Sequence, residues 1–171
     1  FFLHNNILDT TWGTGIPGGL PAESNGIFRM TISVDSNVGF DDESLTTGLW
    51  KDSQNNLVFG GLVMLSDVNH HGYFLAKVST STGRLYEGWG SANNGIVIND
   101  ISTKNLHSIV AELLVQDDDG IITAGTIVSG NIKKMIVMKH TPNGLQNPNF
   151  QTGYKIYNPL HGSLINGVTC K

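Results

Sequence analysis

The chain repeats part of itself, and that constrains its fold more than any other feature. Residues 45–90 can be laid over residues 108–150: Asn55-Asn56 falls on Asp119-Gly120 and Gly61 on Gly125, a separation of 64 positions (61 to 125). Further along, Thr82-Gly83 falls on Asn143-Gly144 and Trp89 on Phe150, a separation of 61 (89 to 150). A unit near 60 residues is longer than most helical repeats and suits several strands per repeat.

Each unit resolves into β segments. Leu57–Leu62 and Ile121–Ile127 are short apolar runs rich in branched residues, each following a turn-forming pair. Leu45–Trp50 and Ile109–Val115 supply the strand before them. Tyr73–Val78 and Lys134–Lys139 supply the strand after, beyond polar loops at 66–72 and 129–131. By periodicity alone a run such as IVAELLV also suits a buried helix. The glycines at 61 and 125 and the bounding turns decide for strand. Asn-Gly at 25–26, 94–95, 143–144 and 166–167, with Asp-Gly at 119–120, offers the positive φ angles of tight hairpins. With 21 glycines and only 14% charged residues, the expectation is an all-β fold of short strands.

The ends carry the same pattern. Leu8–Gly15, LDTTWGTG, matches the close of a unit, and Leu164–Lys171, LINGVTCK, aligns with Leu45–Asp52 through Gly167 and Gly48. The closing segments and the hairpin together resemble the delta-60 repeat family. Val115 to Gly125, VQDDDGIITAG, matches that family's hairpin with an insertion in the turn. Thr141 to Phe150 matches its closing segment, as does Leu8–Gly15 with Trp12 in place of phenylalanine. The unit at 45–90 departs further, with Asn55-Asn56 for Asp-Gly and Tyr86–Trp89 at the close. The resemblance covers most of the chain and implies a β-propeller: about two complete four-stranded units with partial units at both ends. The blades would run 45–107 and 108–160. Residues 1–44 would end a preceding unit and link it on, and 161–171 would start a further one. It implies no enzymatic activity, and a bacterial exported protein, hence an extracellular, cell-surface or periplasmic location.

Composition narrows the function classes. Net charge is −4 with pI near 5.8 and no basic run, so the electrostatic footprint of a nucleic-acid binder is missing. No apolar stretch approaches the roughly 18 residues of a membrane helix. Cys170 is the single cysteine, which excludes an internal disulfide framework. The absence of an Asn-x-Ser/Thr sequon disfavours a glycosylated ectodomain.

No residue pattern points to catalysis, a cofactor or a metal. Asp117-Asp118-Asp119-Gly120 resembles part of a calcium loop but lacks the distal glutamate, and a turn is the expected reading. Asp41-Asp42-Glu43 reads as a solvated loop; an enzyme would need these carboxylates convergent and perturbed. His70-His71 would point to opposite faces of extended backbone, and His4, His107, His140 and His161 have no ligand spacing. Gly13-Thr14-Gly15 and Gly18-Gly19 precede no helix that could offer amides to phosphate. Trp12 and Trp89 fall at the closing position expected to fill the wedge between blades. Trp50 has no such alignment and is the candidate ligand-facing aromatic. The expected function is a non-enzymatic structural or interaction module. It would belong to a larger assembly or a longer propeller, completed by protein partners or further copies of itself. In the second case strand edges at Phe2, Leu3, Leu164, Ile165 and Val168 would pair between subunits. The alternative is a glycan-binding or adhesin module using propeller loops and Trp50.

Overall fold

The computed structural model describes residues 3–4, 7–8, 46–64, 71–99, 106–129, 132–150 and 154–157. They are all-β: no helix occurs among them. The strands are β1 (Leu3–His4), β2 (Ile7–Leu8), β3 (Thr46–Lys51), β4 (Leu57–Met64), β5 (His71–Val78), β6 (Ile96–Asn99), β7 (Leu106–Val115), β8 (Ile121–Ser129), β9 (Ile132–His140) and β10 (Tyr154–Tyr157). β1 and β2 pair only with each other. The rest form two antiparallel groups, β3-β4-β5-β6 and β7-β8-β9, with β10 added on the free side of β9. One parallel register, His71 to His107, joins the groups.

β3, β4, β5, β7, β8 and β9 coincide with the β segments expected from the sequence, with ends that differ by a few residues. β6 and β10 are not among those expected. Asn94-Gly95 was expected to make a tight hairpin, but it lies in a loop that feeds β6. There Asn93 and Gly95, and not Asn94, have positive φ. β6 and β10 are four residues each, too short for alternation to show.

Backbone features of the two groups recur at the spacings seen in the sequence. The register slips once in each first strand, between Thr46 and Gly48 and between Val110 and Glu112. Asn55 and Asp119 both sit at φ near +60°. The amide of each donates three residues back, to the Asp52 and Gln116 carbonyls. These are three-residue loops, a type I turn followed by one left-handed residue. Asn and Asp tolerate that conformation, so Asp119 takes it rather than Gly120. After β9, Thr141–Leu145 closes in the same way with Gly144 left-handed. After β5, the Ser79–Arg84 loop is one residue longer, which shortens the spacing from 62 (78 to 140) to 61 (83 to 144).

Alternation then assigns the faces. Val58, Tyr73, Leu75 and Val97 of the first group meet Leu113, Ile121, Ile127, Ile136 and Met138 of the second in one buried core. The opposite face of the first group gathers Val63, Phe74 and Ala76 with Phe59, Leu85 and Ile96. Phe59 meets Phe74 edge-on at 6.2 Å. Close approach of the groups depends on absent side chains. A Cβ on Gly48 would lie 3.3 Å from Leu113 Cβ, and one on Gly60 would lie 3.3 Å from Leu113 Cδ1. Leu113 therefore settles over two glycines, and burying a leucine contributes about 1.5–3 kcal/mol.

Candidate functional site

The seam between the two groups is where side chains from both converge. Trp89, in the segment that closes the first group, is buried, and its indole Nε1 donates to the Pro142 carbonyl at 2.7 Å. Its ring lies over Gly144, where a Cβ would come within 2.5 Å of Cζ2. Trp12 lies outside the described residues. Nearby, the buried Tyr73 of β5 meets the His140 ring edge-on, with centroids 5.7 Å apart. Thr123 Oγ1 lies 3.2 Å from His140 Nε2. Burial pushes the Tyr73 hydroxyl far above its ordinary value; Gln146 draws it back only in part and makes no well-formed hydrogen bond to it.

At one end of the seam the two hairpin loops touch. The Ser53 amide and hydroxyl donate to the two carboxylate oxygens of Asp119 at 2.8 and 2.6 Å. Asp118 Oδ1 accepts from the Gly120 amide at 3.0 Å, an Asx turn. Among the described residues no group of three or more His, Cys, Asp or Glu side chains is arranged to hold a metal ion.

Beside it Asp52 forms a buried ionic network. Its Oδ1 accepts from the Gln54 and Asn56 amides at 3.0 and 2.7 Å. Its Oδ2 accepts from Asn56 Nδ2 at 3.1 Å and from the Lys77 ammonium at 2.6 Å. Burial by itself would raise the Asp52 pKa, but the Lys77 and Asn56 donors outweigh it and hold the carboxyl below its ordinary value. The Lys77 ammonium also stands 4.6 Å from the Tyr86 ring centroid, a cation–π contact. Gln116 takes the Asp52 position in the second group, so that network is not repeated there.

The residues singled out by sequence fall as follows. Trp50 lies on β3 across from Val58, 41% exposed, between Leu49 (61% exposed) and the exposed Lys51. Leu3 pairs with Leu8, while Phe2, Leu164, Ile165 and Val168 lie outside the described residues. So do Asp41, Asp42, Glu43, His70, His161 and Cys170. His71 opens β5 and His107 sits in β7. No helix among the described residues is long and apolar enough to cross a membrane, which leaves a β-barrel unaddressed. The Asp52–Lys77 pair and the burial of His140 are not among the features expected from the sequence. The sequence did carry a signal for the second, because Ile136, Met138 and His140 alternate onto one face of β9. No protein-family model matches this chain, and no curated protein is significantly similar to it.

Proposed function

We propose that the chain is a non-enzymatic structural module whose two strand groups are consecutive blades of a β-propeller-like assembly. The observation behind this is that the groups meet through opposite faces. The second group turns Leu113 and Thr123 toward the first, whereas their counterparts 64 positions earlier, Leu49 and Phe59, lie on the face turned away from the second. Such contacts are heterologous, and heterologous contacts repeat into a ring where the rotation closes and into an open filament where it does not. A ring takes about four to eight blades, so further blades from the same polypeptide or from other copies would complete it. The delta-60 resemblance points the same way and suggests an exported, bacterial, envelope-associated or extracellular setting.

Light scattering and mass spectrometry on the natural protein test this reading. One polypeptide well above 18.5 kDa, or an 18.5 kDa chain found only in multimers, supports it. A stable, closed monomer at 18.5 kDa overturns it.

A glycan-binding role is the second reading, and the exposure of Trp50 on β3, the end strand of the first group, favours it. An exposed indole can stack on a sugar ring. Titration of tryptophan emission with polysaccharides, in the natural sequence and in Trp50→Ala, tests it. A response lost in the variant supports glycan binding, and silence across a broad panel counts against it.

A further inference from the structure

Among the described residues, the histidine in the seam has no counter-charge. His140 is fully buried, its Nδ1 has no hydrogen-bond partner, and Nε2 reaches only the Thr123 hydroxyl. The Gly144 backbone favours the charged ring slightly but makes no well-formed hydrogen bond to it. Across the seam stands the Tyr73 ring, whose hydroxyl is also without a partner.

Among the described residues no charged group is placed to rescue an imidazolium. On β5 the described basic side chain on the Tyr73 face is that of Lys77, held at 2.6 Å by Asp52. β8 has no charged residue over 121–127, and 141–150 have none. On β9, Lys134 shares the His140 face and Lys139 lies on the other. On β7, Glu112 directs Oε1 toward the Leu113 amide and Gly48. In the adjoining turn Asp119 is bound to Ser53, Asp118 caps Gly120, and Asp117 is exposed. Among the described residues no carboxylate forms an ion pair with His140.

We propose that His140 is an acid-operated latch between the two strand groups: on taking up a proton it drives the second group off the Tyr73 face of the first. A buried imidazolium has two donors; the Thr123 oxygen can accept one, and the Gly144 backbone offers the other no well-formed hydrogen bond, so water must enter or the seam must part. Burial pushes the His140 pKa down to about 4, from 6.5 for a free ring. The open seam binds the proton more tightly than the closed one. The closed-to-open ratio therefore falls as pH drops below 6.5, by about tenfold per pH unit until about 4. The latch does not depend on the groups being propeller blades.

The test follows the full chain from pH 7.5 to 3.5 by two-dimensional NMR and tryptophan emission, in the natural sequence, His140→Gln and His140→Met. Trp89 lies on the same seam and reports its opening. In the natural sequence the resonances of Trp89, Tyr73 and 140–146 should change together between pH 6 and 4. In either variant that change should be absent or move to lower pH by at least one unit. The same transition in natural and variant chains overturns the latch. If neither variant folds, the ring proton of His140 in the natural chain decides. A ring that stays neutral until the seam opens supports the latch, and one that titrates near 6.5 with the seam closed overturns it.

Discussion

The Trp89 indole donates to the Pro142 carbonyl at 2.7 Å, across 53 residues of sequence, while its ring occupies the space over Gly144. One side chain thereby ties the closing segment of the first strand group to the loop that follows β9 in the second. The contact joins a hydrogen bond to burial of a large aromatic surface, and each can be removed separately.

Trp89→Phe keeps the apolar contact and leaves the Pro142 carbonyl without its donor. It should cost about 1–2 kcal/mol. Trp89→Ala removes the ring as well and should cost about 3–5 kcal/mol. Urea unfolding of the two variants measures the difference, and equal midpoints would contradict this account of the seam.

Gly144→Ala tests the same place from the other side. The new methyl would meet the Trp89 ring, and φ at this position is +78°. Left-handed backbone costs an alanine about 1–2 kcal/mol before any clash. A total near 3 kcal/mol is expected, seen as a lowered thermal midpoint with red-shifted tryptophan emission.

Gly60→Ala carries no φ penalty, so its effect isolates close packing. The methyl would stand 2.8 Å from the Phe74 carbonyl oxygen, a backbone atom that cannot swing aside, and 3.3 Å from Leu113. Overpacking of this kind costs about 1–3 kcal/mol. A calorimetric melt would check it, and an unchanged midpoint would show that the strand groups sit further apart.

The Asp52–Lys77 pair sets a second acid response, below that of His140. The folded-state pKa of Asp52 lies below its ordinary 3.8. The stability it contributes is therefore complete above that value and is lost as pH falls through the lower, folded-state one. Asp52→Asn should remove this low-pH component. Asp52→Ala at neutral pH should cost about 2–4 kcal/mol, because it leaves a mostly buried ammonium unpaired. Urea titrations at pH 7 and pH 3 read both effects.

Ser53→Ala and Asp119→Asn address the loop contact. Both loops are solvent-exposed, so the pair should couple by no more than about 1 kcal/mol in a double-mutant cycle. Asp119→Ala should cost more than Asp119→Asn, because alanine tolerates φ of +60° less well than asparagine.

Local chemistry was enough for much of this molecule. Glycine-rich turns and branched apolar runs specify the strands β3, β4, β5, β7, β8 and β9, because turn propensity and period-two burial act within a few residues. The matches of Asn55 to Asp119 and of Trp89 to Phe150 are legible for the same reason, since each residue type suits one backbone position or one kind of contact. Only the tertiary structure decided which faces meet. The pairing of Leu113 with Gly48 and Gly60, the reach of Trp89 to Pro142, and the isolation of His140 beside Tyr73 join residues far apart in the chain. Their energies come from shape and from exclusion of water at a surface that exists only once both strand groups have formed. The Asp52–Lys77 pair belongs with them, because hairpin register, and no spacing visible in the sequence, brings the ammonium to the carboxylate.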